Sequence, residues 1–322
     1  MEVNRDGGGA VSATLQFRLR TTARSLALTT LASADLATGR MAAGLSVSRV
    51  QFLLFHDVLP HQEQPFRELL KDLTEYHEFI SYSEAVDRVV QGNIDRPYIA
   101  ISFDDGRESC YRAARIMNEF SIGGCFFICP SIVGEPDPVK VREFAQKRVC
   151  ESVPGFLSWR QVEEMKRDGH EFGGHSMTHA DLGAASRQEL DYEIGACHET
   201  IARALGEVHH FAWPFGRRKN LSVLAAQVVF QTGFRSCASA IRGCHQRIEI
   251  ANALSTLAPV ESAFQRPGVM LRRENLEANW PRPHVQYLLA RGARNTEPGN
   301  DIWPNALSTL APRELEAGSE PE

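Results

Sequence analysis

The sequence predicts an α/β fold of parallel βαβ units, arranged as an open sheet or a barrel. Three observations predict it. Short apolar runs alternate with segments of helical apolar spacing between residues 50 and 240, roughly six times over. The runs at 50–55, 97–103 and 124–129 are apolar and read as buried strands. The residues with chemical potential fall where such runs stop, at His56, Asp104–Asp105, His175 and Pro214–Phe215, and folds of this kind gather their sites at C-terminal strand ends.

Taken in order, VQFLLF at 50–55 is the first strand. Helices follow at 64–77, where Phe66, Leu69, Leu70 and Leu73 share a face, and at 83–90. The strand 97–103 leads into Asp104–Asp105–Gly106, then come a helix at 108–120 and the strand 124–129. Residues 130–157 hold four prolines and read as a long excursion. Ser158 and Gln161 form a capping box for a helix over 159–168, which Gly169 ends. A strand at 170–173, an amphipathic helix at 186–205, a strand at 209–213, a helix at 219–232 and a strand at 234–239 complete the regular region. Three segments result: an N-terminal extension with little order over 1–49, a catalytic domain over 50–275 and a flexible tail over 276–322. The octapeptide NALSTLAP stands at 252–259 and again at 305–312, too short a recurrence for a repeat fold.

Composition narrows the partners. Apolar residues at 43% and charged residues at 23% are globular values, and a net charge of −5 gives no basic face for nucleic acid. No window reaches the length of about 20 apolar residues that crosses a bilayer, and the N-terminus lacks a signal-peptide core. The 7 cysteines form no C-x-x-C pair and read as reduced thiols, which with the missing export signal points to the cytoplasm.

The chemistry lies in two motifs. In Ser102-Phe103-Asp104-Asp105-Gly106, adjacent carboxylates end an apolar strand, an arrangement that asks for a cation or a hydrogen-bond network. A solvated acidic turn capping the next helix is the other reading. In Gly173-Gly174-His175-Ser176-Met177-Thr178-His179, the H-x3-H spacing brings two imidazoles to one side of a turn, where they can share an ion. Two histidines and one carboxylate would leave open positions on that ion, as catalysis requires.

SFDDG, HSMTH and FAWPFG, in that order, resemble the motifs of the NodB-type polysaccharide deacetylases, carbohydrate esterase family four, over roughly residues 50–240. The resemblance implies an irregular (β/α) barrel of about seven strands. It implies that Asp104 is the catalytic base, that Asp105, His175 and His179 hold a divalent metal ion, Zn²⁺ or else Co²⁺, Ni²⁺ or Fe²⁺, and that the Phe215 N–H holds an oxyanion. It implies a saccharide substrate bearing N-acetylated amino sugar. Where many members carry an arginine that braces the base, this chain has Ala212, so the brace must come from elsewhere, with Arg107 and Arg217 as candidates. The family's closing L-x-H motif has no match near the end of the domain. Leu54-Phe55-His56-Asp57 resembles that element as it stands first in the circularly permuted branch, and makes His56 the general acid. Trp213 reads either as a sugar platform or as core. Two rival functions share the fold: hydrolysis of another amide or O-acetyl ester, and a catalytically silent saccharide-binding or scaffold protein.

Overall fold

The computed structural model describes residues 7–151, 153–246 and 268–294. Among them, nine strands form one sheet: β1 (Arg49–Phe55), β2 (Glu78–Phe79), β3 (Pro97–Phe103), β4 (Gly124–Ile128), β5 (Glu171–Gly174), β6 (His210–Ala212), β7 (Ser236–Ala238), β8 (Val269–Leu271) and β9 (Arg273–Asn275). Every pairing between these strands is parallel, in the order β8-β7-β6-β5-β4-β3-β1-β9, with the short β2 beside β3. β8 and β9 are separated only by Arg272, yet β8 pairs with β7 and β9 with β1. One segment thus joins both edges of the sheet, and the result is a nearly closed (β/α) barrel. Counted around the ring, with β8 and β9 as one staggered strand, it agrees with the expected seven.

Strand alternation sorts the side chains into two sets. Val50, Phe52, Tyr98, Ala100, Cys125 and Phe127 belong to one buried cluster, inside the barrel. Leu53, Phe55, Ile99, Ile101, Phe126 and Ile128 belong to the other, packed under the helices. The inward series of β3 continues through Ser102 to Asp104, and that of β1 runs toward His56.

The crossover helices are α3 (Glu63–Leu73), α4 (Tyr82–Gln91), α5 (Ser109–Glu119), α7 (Trp159–Arg167), α8 (Arg187–Leu190), α9 (Cys197–Leu205) and α10 (Val223–Thr232). The Ser158–Gln161 capping box forms. Between α8 and α9 the chain makes a π-helical turn, Asp191–Ala196, in what the sequence suggests is one continuous helix. The proline-rich excursion carries a helix of its own, α6 (Pro138–Phe144), because Asp137 caps it and Pro138 occupies its first turn, where no amide N–H is needed.

Helices also stand outside the segment expected to be the catalytic domain. α1 (Gly7–Ala37) and α2 (Arg40–Leu45) stand in the region read as an extension with little order. In the region read as a flexible tail, α11 (Arg282–Arg294) packs on α2 and buries Val285, Leu289, Ala290 and Ala293. The contact is close: a Cβ on Gly44 would lie 2.8 Å from that of Ala290. Buried Arg49 ties this layer to β1 by donating to the carbonyls of Leu45 and Val47. Both copies of NALSTLAP lie outside the described residues.

Candidate metal centre and active site

β3 ends in two consecutive acids that the backbone sends different ways. Asp104 continues the ladder, its N–H donating to Phe55 O at 3.1 Å. Asp105 has φ 71°, a left-handed conformation uncommon for a residue with a side chain but tolerated by aspartate. Ser176 (φ 59°), His179 (φ 56°) and Phe215 (φ 64°) share it. Such backbone geometry costs of order 1 kcal/mol or more per residue and clusters where a site demands it.

β5 passes beside β4 and β6 with almost no room: a Cβ on Gly173 would lie 2.6 Å from both the Phe127 ring and the His210 carbonyl oxygen. His175 follows, and its N–H donates to Ile128 O. Its Nδ1 meets Ala212 O at 2.7 Å, which makes Nδ1 the protonated nitrogen and leaves the Nε2 lone pair facing inward. Asp105 Oδ1 lies 3.4 Å from His175 Nε2 and 3.3 Å from His179 Nε2. One ligand atom from each residue lies within 4.8 Å of the others, and all three residues are buried. These are the residues expected to hold the metal, and the structure brings them together.

The other Asp105 oxygen accepts from Arg107 Nε at 2.9 Å and Nη2 at 2.7 Å. Arg107 also pairs with Asp57 and Glu151. It therefore braces the metal-site aspartate and not the base. Arg217, the second candidate, is exposed.

The brace on Asp104 is Arg273. Its Nη1 and Nη2 each donate to a carboxylate oxygen at 2.7 Å, a bidentate pair of the strongest kind. Arg273 Nε donates to Ser239 O at 2.7 Å, Nη1 reaches Ser102 Oγ at 3.2 Å, and the guanidinium lies over the Phe127 ring. Sequence reasoning missed it, because β8 and β9 are only three residues each and Arg273 stands 169 positions from Asp104. The signal available was the second arginine of VMLRREN, Arg273, which continues the strand alternation of a β-compatible run.

The electrostatics follow from these pairs. Burial pushes the Asp104 carboxyl up, but Arg273 and His175 more than offset it and hold it below the usual range. Burial likewise opposes ionisation of Asp105, and the adjoining His175 and His179 rings, with Arg107, bring it well below that range. Burial resists charging His175, while Asp104 and Asp105 raise its pKa. Ionised carboxylates and cation-attracting imidazoles therefore face one point.

His56 sits half-buried after β1, within electrostatic range of both aspartates. Phe215 is 40% exposed and meets the His179 ring edge-on at 4.8 Å. Among the described residues its N–H donates to no other group. Trp213 belongs to the core: it is 1% exposed, with Nε1 donating to Arg217 O. It does not present a platform to a sugar.

The chain matches the family described as polysaccharide deacetylase over residues 91–235. That stretch includes Asp104, Asp105, His175, His179 and Phe215, and leaves His56 and Arg273 outside. No curated protein sequence matches the chain. Its fold is similar to that of the Streptococcus pyogenes deacetylase PplD solved with acetate (17% identity, TM-score 0.56, covering 75% of this chain and 98% of that one). It is similar to IcaB from Ammonifex degensii (20% identity, TM-score 0.53, 75% and 98% covered). A third is BC0361, a polysaccharide deacetylase from Bacillus cereus (14% identity, TM-score 0.54, 76% and 69% covered). At these identities the likeness is one of fold.

Proposed function

We propose, on the premise that residues 91–235 belong to the polysaccharide deacetylase family, that this chain is a divalent-metal-dependent hydrolase that removes N-acetyl groups from an amino-sugar-containing saccharide. The observation that carries the reading is the convergence of Asp105, His175 and His179 beside a carboxylate, Asp104, that Arg273 holds ionised. The donor set suits the group it would hold. Two imidazole nitrogens and one carboxylate oxygen are the three-ligand pattern of a catalytic zinc, with positions left for water and substrate. The Nδ1–H bond of His175 to Ala212 O supplies the outer support that such ligands need. Zinc is our choice over cobalt, nickel and iron.

When bound, the ion supplies Lewis-acid polarisation of the acetyl carbonyl and an acidified water. The chain's own groups do the rest. Asp104, ionised and fixed by two hydrogen bonds, accepts the proton of the attacking water. The Phe215 N–H, which has no partner among the described residues, donates to the oxygen that becomes negative. His56 protonates the departing amine, which an amide needs because the free amide anion is a poor leaving group. We place the reaction in the cytoplasm, in keeping with seven free cysteines.

The test is acetate release from N-acetylglucosamine oligomers by the intact chain before and after chelation, with Asp104→Asn alongside. Activity lost on chelation, restored by Zn²⁺ and absent from the variant is the expected result. Undiminished activity in the chelated protein or in Asp104→Asn overturns the mechanism, and release from O-acetyl esters alone overturns the substrate class.

A further inference from the structure

The two histidines of the metal centre are held by different means. His175 has an outer hydrogen bond on its ring, Nδ1 to Ala212 O at 2.7 Å. The His179 ring has none: its Nδ1 is buried and has no hydrogen-bond partner among the described residues. A ligating histidine usually relies on such a bond to fix its orientation, so His179 must be aimed through its backbone. That backbone is left-handed at Ser176 and His179, a conformation that does not persist unless its surroundings over-determine it.

What over-determines it comes from a helix. Glu193, 7% exposed, lies in the π-helical turn Asp191–Ala196. Its Oε2 accepts from the Thr178 N–H at 2.9 Å and its Oε1 from the Thr178 hydroxyl at 2.6 Å. Its carbonyl oxygen accepts from the Met177 N–H at 2.8 Å. A single residue thus satisfies three donors on the two residues that precede His179. Ser176 Oγ closes the loop from within by accepting from the Ala180 N–H at 3.0 Å, and Met177 O accepts from the Ser131 N–H. π-helical turns inside α-helices are uncommon and concentrate at functional sites, since the extra residue displaces side chains that a regular helix would direct elsewhere. Here the displaced turn presents a carboxylate to the metal loop.

We propose that Glu193 is a positioning residue for the metal centre: it clamps Thr178, and through it aims His179 Nε2 at the point shared with His175 and Asp105. This rests on the reading that those three residues hold a divalent ion. Glu193 touches neither ion nor substrate, so its loss weakens ion binding and leaves the loaded enzyme close to normal turnover.

The experiment uses the full chain stripped of metal and titrated with Zn²⁺ against a chromophoric chelator, and with Co²⁺ followed by its visible absorption. Glu193→Ala is expected to lower Zn²⁺ affinity by about 10- to 100-fold, the range seen when outer-shell support is removed, and to alter the Co²⁺ spectrum. Glu193→Gln keeps one acceptor oxygen and falls between. Thr178→Val removes only the hydroxyl and gives a smaller loss in the same direction. At saturating Zn²⁺, kcat recovers in all three. If Glu193→Ala does not fold, as circular dichroism would show, the Gln and Val variants decide. Affinity and Co²⁺ spectrum unchanged in the folded variants overturn the proposal, as does kcat that stays depressed at saturating ion. A wild-type chain that binds neither ion would instead overturn the metal-centre reading itself.

Discussion

At the N-terminal end of the strands, Glu171, His210, Ser83 and Ser236 set a carboxylate against a buried imidazole, as Asp105, His175 and His179 do at the C-terminal end. The lower cluster is closed. His210 Nδ1 meets Ser236 Oγ and Nε2 meets Ser83 Oγ, each at 2.9 Å, and Glu171 accepts from both the N–H and the hydroxyl of Ser83. Each of these side-chain atoms has its partner inside the cluster, which fastens β5, β6 and β7 to the start of α4. The upper cluster is open. Asp105 Oδ1 lies 3.4 and 3.3 Å from the two imidazole nitrogens with no hydroxyl bridging them, and His179 Nδ1 has no hydrogen-bond partner among the described residues. The same residue types make a staple where their polar atoms close on themselves and a ligand cradle where they converge without closing.

Four measurements would break or sharpen this contrast. The largest expected effect belongs to the open end. Asp104→Asn keeps the shape and loses the base, so kcat/KM should fall about 10³-fold, and the thermal midpoint should fall as well because Arg273 stays buried without its counter-charge. A fall of less than tenfold would remove Asp104 from its role.

The closed end answers to acid instead of turnover. Burial alone would raise the Glu171 pKa, but His210 and Ser83 bring it from 4.5 down to about 2. A carboxylate whose folded pKa is depressed contributes stability that is complete above its unfolded pKa and fades as pH falls through the window from about 4.5 to 2. Glu171→Gln should therefore be less stable than the parent by about 3 kcal/mol at pH 6, and the gap should narrow at pH 4.5 and 3.5. Denaturant melts at the three pH values check this. A gap independent of pH would mean that the carboxylate charge is not what fastens the lower end.

Arg273→Lys comes next. A lysine keeps a charge beside Asp104 but not the planar fork that makes two bonds at once, so kcat should drop about tenfold with ion affinity unchanged. Equal kcat would show that charge alone suffices. The smallest effect is that of Ser236→Ala, which removes one hydrogen bond from the closed cluster. It should cost about 1 kcal/mol in a urea melt and leave kcat as it was. A change in kcat would show that the two ends are coupled.

Much of the fold was legible because its signals are local. The inward series Tyr98, Ala100, Ser102, Asp104 follows from the period of a strand, and the end of β3 at Phe103 from two acids that no strand interior would bury. The H-x3-H pair and the acid pair could be joined because both stand at strand ends of one parallel sheet. Helix α11 was missed although Val285, Leu289 and Ala293 repeat at its period, since the flanking prolines and acids masked a short pattern. The π-helical turn was missed because it leaves the apolar spacing of 186–205 intact while redirecting Glu193.

The chain's order of residues, by itself, determined the βαβ alternation and the set of side chains that converge on a metal: these depend on periodicity and on turns a few residues long. Tertiary structure alone decided which arginine braces the base, what holds His179 in place and how the barrel closes. Arg273 reaches Asp104 because a single segment pairs with β7 by its first half and with β1 by its second. That register is set by closing a ring whose members lie far apart along the chain, and no local pattern records it.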